Sequence, residues 1–117
     1  MILSSVIKKN KLAKETEQVF ILLKDIVQRH DKEANVILFG SRARGDAEYE
    51  SDWDFLIITK KIDTDLFLRT LIPEVRERIE SVRSVVISLM IKNKILWEEQ
   101  YRFTNIYKSI MQEGIEI

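Results

Sequence analysis

Asp52 and Asp54 stand two residues apart at the start of an apolar, β-branched stretch. Side chains alternate along a strand, so both carboxylates project from one face, roughly 6–7 Å apart along the backbone. Two like charges held that close repel and pay a desolvation penalty unless a cation sits between them. Carboxylate oxygens suit a hard divalent ion, Mg²⁺ above all, which keeps coordination positions open for phosphate. An Asp-x-Asp pair alone is more often a solvated strand end; its upstream neighbour changes the reading. Gly40-Ser41 closes the apolar run Val36-Ile37-Leu38-Phe39. Glycine there permits a tight turn and lets backbone approach a ligand closely. If Ser41 opens a short helix, its amides and hydroxyl offer an anion site. Arg42 and Arg44 add positive charge to the same turn, which suits a polyphosphate. A phosphate cradle, ten intervening residues and a carboxylate pair are a combination that chance seldom assembles in one short chain.

These residues need elements to hold them. Leu12, Val19, Phe20, Leu23, Ile26 and Val27 recur at helical spacing, which predicts an amphipathic helix from about residue 5 to 29. Val36–Phe39 is the short continuous run of a buried strand, and Trp53–Thr59 is a second. Leu68, Leu71, Ile72, Val75 and Ile79 mark another helix, capped near Asp63 or Thr64 and kinked or split at Pro73. Val85–Ile91 reads as a third strand. Thr104 caps a last helix through Ile106, Ile110 and Met111 that stops at Gly114; residues 93–103 carry no clear pattern. The order α-β-turn-β-α-β-α predicts a small α/β domain with a mixed sheet.

Composition limits the alternatives. The chain has 117 residues, room for a single domain, 1–117. It is 45% hydrophobic and 32% charged, which excludes a disordered tail or a fibrous repeat. No cysteine means no disulfide, thiol nucleophile or cysteine-ligated zinc, and one histidine argues against a histidine-rich metal site. His30 reads as a solvated capping residue. Nineteen basic residues balance nineteen acidic ones, so broad nucleic-acid binding is not expected, and Lys8, Lys9 and Lys11 read as a solvated face. The longest apolar run, Val19–Leu23, is far short of a membrane span, and the first residues lack a signal-peptide pattern, so the cytoplasm is the expected compartment. Trp53 faces away from its flanking aspartates and is expected in the core. Trp97, Tyr101, Phe103 and Tyr107 read as core or a partner surface rather than a base-stacking platform, with partner contact expected in that segment.

Gly40-Ser41, ten residues, then Asp52-Trp53-Asp54 resembles the signature of the DNA polymerase β-like nucleotidyltransferase superfamily. Arg42-Ala43-Arg44-Gly45, Ser51 and the short length resemble its minimal nucleotidyltransferase (MNT) branch, including the MntA-type antitoxins. The resemblance spans roughly residues 18–92. It implies an α/β (α+β) nucleotidyltransferase fold, a mixed β-sheet with helices packed on one side. It also implies that Asp52 and Asp54 are catalytic and hold Mg²⁺ (or Mn²⁺). Gly40, Ser41, Arg42 and Arg44 would bind the nucleotide, with Arg42 favoured over Arg44 for the triphosphate. The donor would be ATP and the group transferred AMP. Members usually carry a third carboxylate on a later strand, where this chain has Ser88, at best a weak neutral ligand and no base near pH 7. Asp46, Glu48 and Glu50 are candidates to stand in. MNT proteins pair with helical HEPN-type toxins, so the resemblance implies a partner-protein hydroxyl as acceptor, with a homo-oligomer also open. The rival reading is a catalytically degenerate module that binds nucleotide or neutralises a partner by contact. A small-molecule acceptor is disfavoured because no acceptor domain fits this length.

Overall fold

Five strands form one mixed sheet in the computed structural model, which describes residues 2–3, 14–48 and 51–117. In chain order the elements are β1 (Ile2–Leu3), α1 (Lys14–His30), β2 (Asn35–Phe39), α2 (Ser41–Arg44) and β3 (Trp53–Thr59). Then come α3 (Thr64–Val75), a π-helical turn (Arg76–Glu80), α4 (Ser81–Arg83), β4 (Ile87–Asn93), α5 (Lys94–Glu99), α6 (Asn105–Glu113) and β5 (Ile115–Glu116). The start of the first helix near residue 5, Leu12, the face of Lys8, Lys9 and Lys11, and Glu50 lie outside the described residues.

Strand order is β1-β5-β2-β3-β4. β2 runs antiparallel to both β3 and β5, while β3–β4 and β1–β5 are parallel. The register sets Phe39 opposite Asp54 and Asp54 opposite Ser88. One end of the sheet therefore gathers the end of β2 and the starts of β3 and β4.

The two-residue period of the strands feeds two separate cores. Val36 and Leu38 of β2, with Trp53, Phe55 and Ile57 of β3, face α1 and α3, where Val19, Leu23, Ile26 and Leu71 are fully enclosed. Phe20 meets Trp53 and Phe55 edge-on, at centroid distances of 6.3 and 6.1 Å. Such pairs add about 0.5–1.5 kcal/mol beyond burial alone. Ile37 and Leu56 point the other way, onto Trp97 of α5 and Ile110 of α6.

The mixed sheet and the α+β class agree with the sequence reading, but helices are not confined to one side. α5 and α6 cover part of the second face because Ile37 and Leu56 need a cover as much as their neighbours do. Residues 93–103 thus acquire structure: Asn93 caps α5 by accepting from the amides of Ile95 and Leu96. Trp97 is buried in this second core and the half-buried Tyr101 and Tyr107 pack against it, in line with the core side of the core-or-partner reading, while Phe103 is well exposed, at 78%.

Caps fall where expected. Asp63 accepts from the Leu66 amide and Thr104 from the Tyr107 amide. Pro73 does not end its helix; the chain stays helical and widens to the π turn three residues later, where the Arg76 amide reaches both Ile72 and Pro73 carbonyls. The third strand starts two residues late. Ser84 takes a left-handed conformation (φ 53°) and Val86 is exposed, so ladder pairing within β4 begins at Ile87 and runs on to Asn93. His30 does not act as a cap: its Nε2 lies 3.0 Å from Glu74 Oε1, and Arg29 also bonds Glu74, tying α1 to α3. These bonds, His30's first, hold the Glu74 carboxyl below its ordinary range.

Candidate active site

β2 delivers the chain to Gly40, whose φ of 75° and ψ of −159° belong to a region essentially restricted to glycine. A second constraint is steric. A Cβ built on Gly40 would lie 2.5 Å from Asp54 Oδ2. The turn and the carboxylate, fourteen positions apart, are thus in van der Waals contact, and only a residue without a side chain permits it.

Past Gly40 the single turn α2 consumes most of its own donors. The amides of Ala43 and Arg44 bond the Gly40 carbonyl, and those of Gly45 and Asp46 bond the Ser41 carbonyl. The Ser41 amide and hydroxyl have no partner among the described residues. Ser41 therefore presents donors directly beside the carboxylate pair.

The two arginines of the turn part company. Arg42 lies over the Trp53 ring, 4.5 Å from guanidinium to centroid, and donates to the Ser51 carbonyl from Nη2 at 3.0 Å and from Nε at 3.3 Å. It braces the loop against the core at the root of β3. Arg44 pairs with Asp46 at 3.2 Å and with Glu113 at the end of α6 at 3.5 Å. Its charge also reaches Asp54.

Asp52 lies just before β3 and Asp54 within it. Burial, then the neighbouring Asp52 charge, push the Asp54 carboxyl above its ordinary range, against the opposing pull of Arg44. The pair is under-neutralised by the protein's own groups, and that is the electrostatic condition a divalent cation relieves. The donor set fits a hard ion: carboxylate oxygens, joined by the Ser88 hydroxyl, which donates to Asp52 Oδ2 at 3.3 Å. Ser88, expected at the place of a third carboxylate, stands opposite Asp54 in the ladder and within reach of Asp52.

Among the described residues no third acid or histidine joins the pair in a metal-binding cluster. Asp46 is engaged by Arg44, and the Glu48 amide donates to the Ser51 hydroxyl oxygen at 2.9 Å.

Beside the turn, on the face that carries Asp54, a cleft of about 370 Å³ separates the Phe39–Gly40 corner from α6. Sequence reasoning did not mark it. Asn105, Ser109 and Glu113 fall one helical turn apart and so share one side of α6, a periodicity visible in the sequence. What they face depends on how α6 crosses the sheet.

No helix of the described residues is long and apolar enough to cross a membrane. Comparison with curated proteins finds no match. The profile of the nucleotidyltransferase domain matches residues 21–117, running past the residue-92 limit of the sequence resemblance to take in α5, α6 and β5. With that match over most of its length, and with a glycine turn set against paired aspartates, the chain belongs to the nucleotidyltransferase domain family.

Proposed function

We propose that the protein is a Mg²⁺-dependent nucleotidyltransferase that moves AMP from ATP to a hydroxyl group on a partner protein of the helical HEPN type. The observation that supports this reading is the contact of Gly40 with Asp54, which sets the glycine turn against the aspartate pair. Ser41 donates to the β- and γ-phosphates from its amide and hydroxyl. Arg44, whose charge reaches Asp54, faces the triphosphate in exchange for its exposed pairs with Asp46 and Glu113, while Arg42 stays on Trp53 and Ser51. Asp52 and Asp54 hold the metal, whose charge, when bound, stabilises the triphosphate and the departing pyrophosphate. The acceptor oxygen bonds to the α-phosphorus as the bond to the bridging oxygen of pyrophosphate breaks. With Ser88 in the third position, the hydroxyl proton leaves to water rather than to a carboxylate. That sacrifices roughly 10²–10⁴ in rate.

The partner reading draws on the resemblance and on exposed apolar residues of the α5–α6 region. Ile95, Leu96 and Phe103 are 63%, 44% and 78% exposed. A cytoplasmic site of action belongs to the same reading. The second reading, a module that binds nucleotide and neutralises its partner by contact, rests on the same Ser88.

Transfer of α-labelled AMP to a co-expressed helical partner distinguishes them. The enzyme reading expects labelling that needs Mg²⁺, is lost in Asp52→Asn, and rises in Ser88→Asp. No labelling in either wild type or Ser88→Asp, with ATP still bound, establishes the contact reading instead.

A further inference from the structure

The last strand of a sheet presents unpaired amides and carbonyls to whatever approaches it. β4 ends the order β1-β5-β2-β3-β4, and it pairs one-to-one with β3 along its whole length, without bulge, glycine or proline. We infer that β4 pairs antiparallel with β4 of a second copy, about a two-fold axis at Met90. Each copy's Lys92 then reaches the carboxylate pair of the other, so that the site is shared; the role of that lysine rests on the nucleotidyltransferase reading above.

Backbone direction decides what the edge offers. The Trp53 amide donates to the Val86 carbonyl, and Trp53 stands opposite Ile87. Ser88, Met90 and Lys92 therefore turn their amides and carbonyls toward β3, while Ile87, Leu89 and Ile91 turn theirs outward. The Ile87 amide accordingly donates to Glu80 Oε2 at 2.8 Å. The amides of Leu89 and Ile91 have no partner among the described residues.

Pairing about Met90 lets Leu89 and Ile91 exchange both bonds with the partner's Ile91 and Leu89. An axis at Leu89 would call instead on the Ile87 amide, which Glu80 already holds. An axis at Ile91 would set Lys92 against a methionine. On the α3 face, a cleft of about 310 Å³ is lined by Leu68, Ile72, Ile87 and Leu89, and Val86 beside it is 53% exposed. The partner's Ile91, opposite Leu89 and on the same face, covers that apolar surface.

Charge favours the same register. Ser88 stands opposite Asp54 in the ladder, and Ser88, Met90 and Lys92 share its face. About Met90, the partner's Lys92 falls directly opposite Ser88, with β-carbons roughly 4.5–5.5 Å apart. Ser88 bonds Asp52 at 3.3 Å, so a lysine side chain at that place reaches the under-neutralised pair. With ATP bound, the same ammonium faces the phosphates. A lysine on an edge strand ordinarily deters pairing. Here it meets a serine backed by a carboxylate. Within its own chain Lys92 bonds the neutral Tyr101 hydroxyl at 3.1 Å and lies 4.4 Å from that ring, so no ion pair is lost when it turns outward.

Sedimentation equilibrium and hydrogen exchange on the full chain test the pairing. Wild type is expected to be a dimer, with the Leu89 and Ile91 amides protected at high concentration and released on dilution. Leu89→Pro removes an outward amide without taking a bond from β3, and Met90→Lys sets two like charges on the axis. Both should be monomers. A wild type that stays monomeric up to about 1 mM overturns the inference, as does exchange at Leu89 and Ile91 that ignores concentration. So does a folded Leu89→Pro or Met90→Lys that dimerises like wild type; if neither variant folds, the wild-type exchange decides. Mixing reads the shared site. Lys92→Met and Asp52→Asn should each weaken MgATP binding several-fold. An equal mixture should regain about a quarter of the wild-type sites, because about half of the dimers then carry one intact site. No recovery on mixing, or a Lys92→Met protein that binds MgATP like wild type, overturns the shared site. A wild-type dimer that binds no MgATP overturns the nucleotidyltransferase reading and leaves the paired edge standing.

Discussion

Neighbouring residues of β3 meet opposite fates on the two faces of the sheet. Trp53, Phe55 and Ile57 enter a core walled by α1 and α3, with Phe55 and Ile57 fully enclosed. Asp52 and Asp54 turn to the other face, where α5 and α6 cover Ile37 and Leu56 but stop short of the strand starts. One face is finished and the other left open at one end. The uncovered end provides room for the phosphate and metal of the proposed function, while the finished face supplies the rigidity that keeps two like charges together. Arg42 links them, since it sits on the Trp53 ring while belonging to the turn that follows Gly40.

If stability resides mainly in the finished face, truncation there should cost most. Phe55→Ala is expected to lose about 3–5 kcal/mol in denaturant unfolding. Ile110→Ala, on the nine-residue α6 of the open face, should lose about 2–3 kcal/mol, because the exposed neighbours of Ile110 let the helix settle into the gap. Equal losses would break the contrast and make the second layer as essential to folding as the first.

Gly40→Ala probes the seam between the faces. The backbone region that Gly40 occupies costs other residues about 1–3 kcal/mol, and the new methyl would also press on Asp54. Stability should fall by that amount, with Mg²⁺-dependent ATP binding falling further than stability explains. A variant that is destabilised yet binds MgATP like wild type would mean that Asp54 moves freely and that its contact with the turn is incidental.

The same contrast separates what the sequence made legible from what it hid. Trp53–Thr59 was readable to the residue because a finished face imposes an apolar run on the strand that lies against it. The caps at Asp63 and Thr104 were readable because capping is local chemistry. α5 was not, since Ile95 and Leu96 are exposed and Trp97 alone is buried, which leaves no helical period to detect. β5 is two residues long, too short for any pattern. At the site, residue types and spacing picked out Gly40, Ser41, Asp52 and Asp54, which the fold brings together. The division of labour between Arg42 and Arg44 was hidden, because it depends on which side of the turn Trp53 occupies. The cleft along α6 was hidden for a similar reason, being a gap between elements rather than a property of either.

The smallest effect concerns the open face alone. Its Asp54 carboxyl lies above the ordinary value of 3.8, through burial first and the Asp52 charge second. A carboxyl raised in the folded state binds its proton more tightly there than in the unfolded chain. Stability therefore falls as pH rises from 3.8 through the raised folded value, and at neutral pH the whole penalty is present. Asp54→Asn removes the titrating charge, so the variant should be more stable than wild type at pH 7. Solvent screening keeps the gain to about 0.5 kcal/mol, or about 2–4 °C in melting temperature for a domain of this size. The gain should vanish well below pH 3.8, where wild type is protonated in both states. Asp52→Asn should recover part of it, since burial, the larger cause, remains. MgATP should reverse the order at pH 7 by stabilising wild type and not Asp54→Asn. Thermal melts at several pH values, with and without MgATP, measure all of this. An Asp54→Asn protein less stable than wild type at pH 7 would show that the carboxylate holds the fold together there, and that the two faces do not divide stability from chemistry.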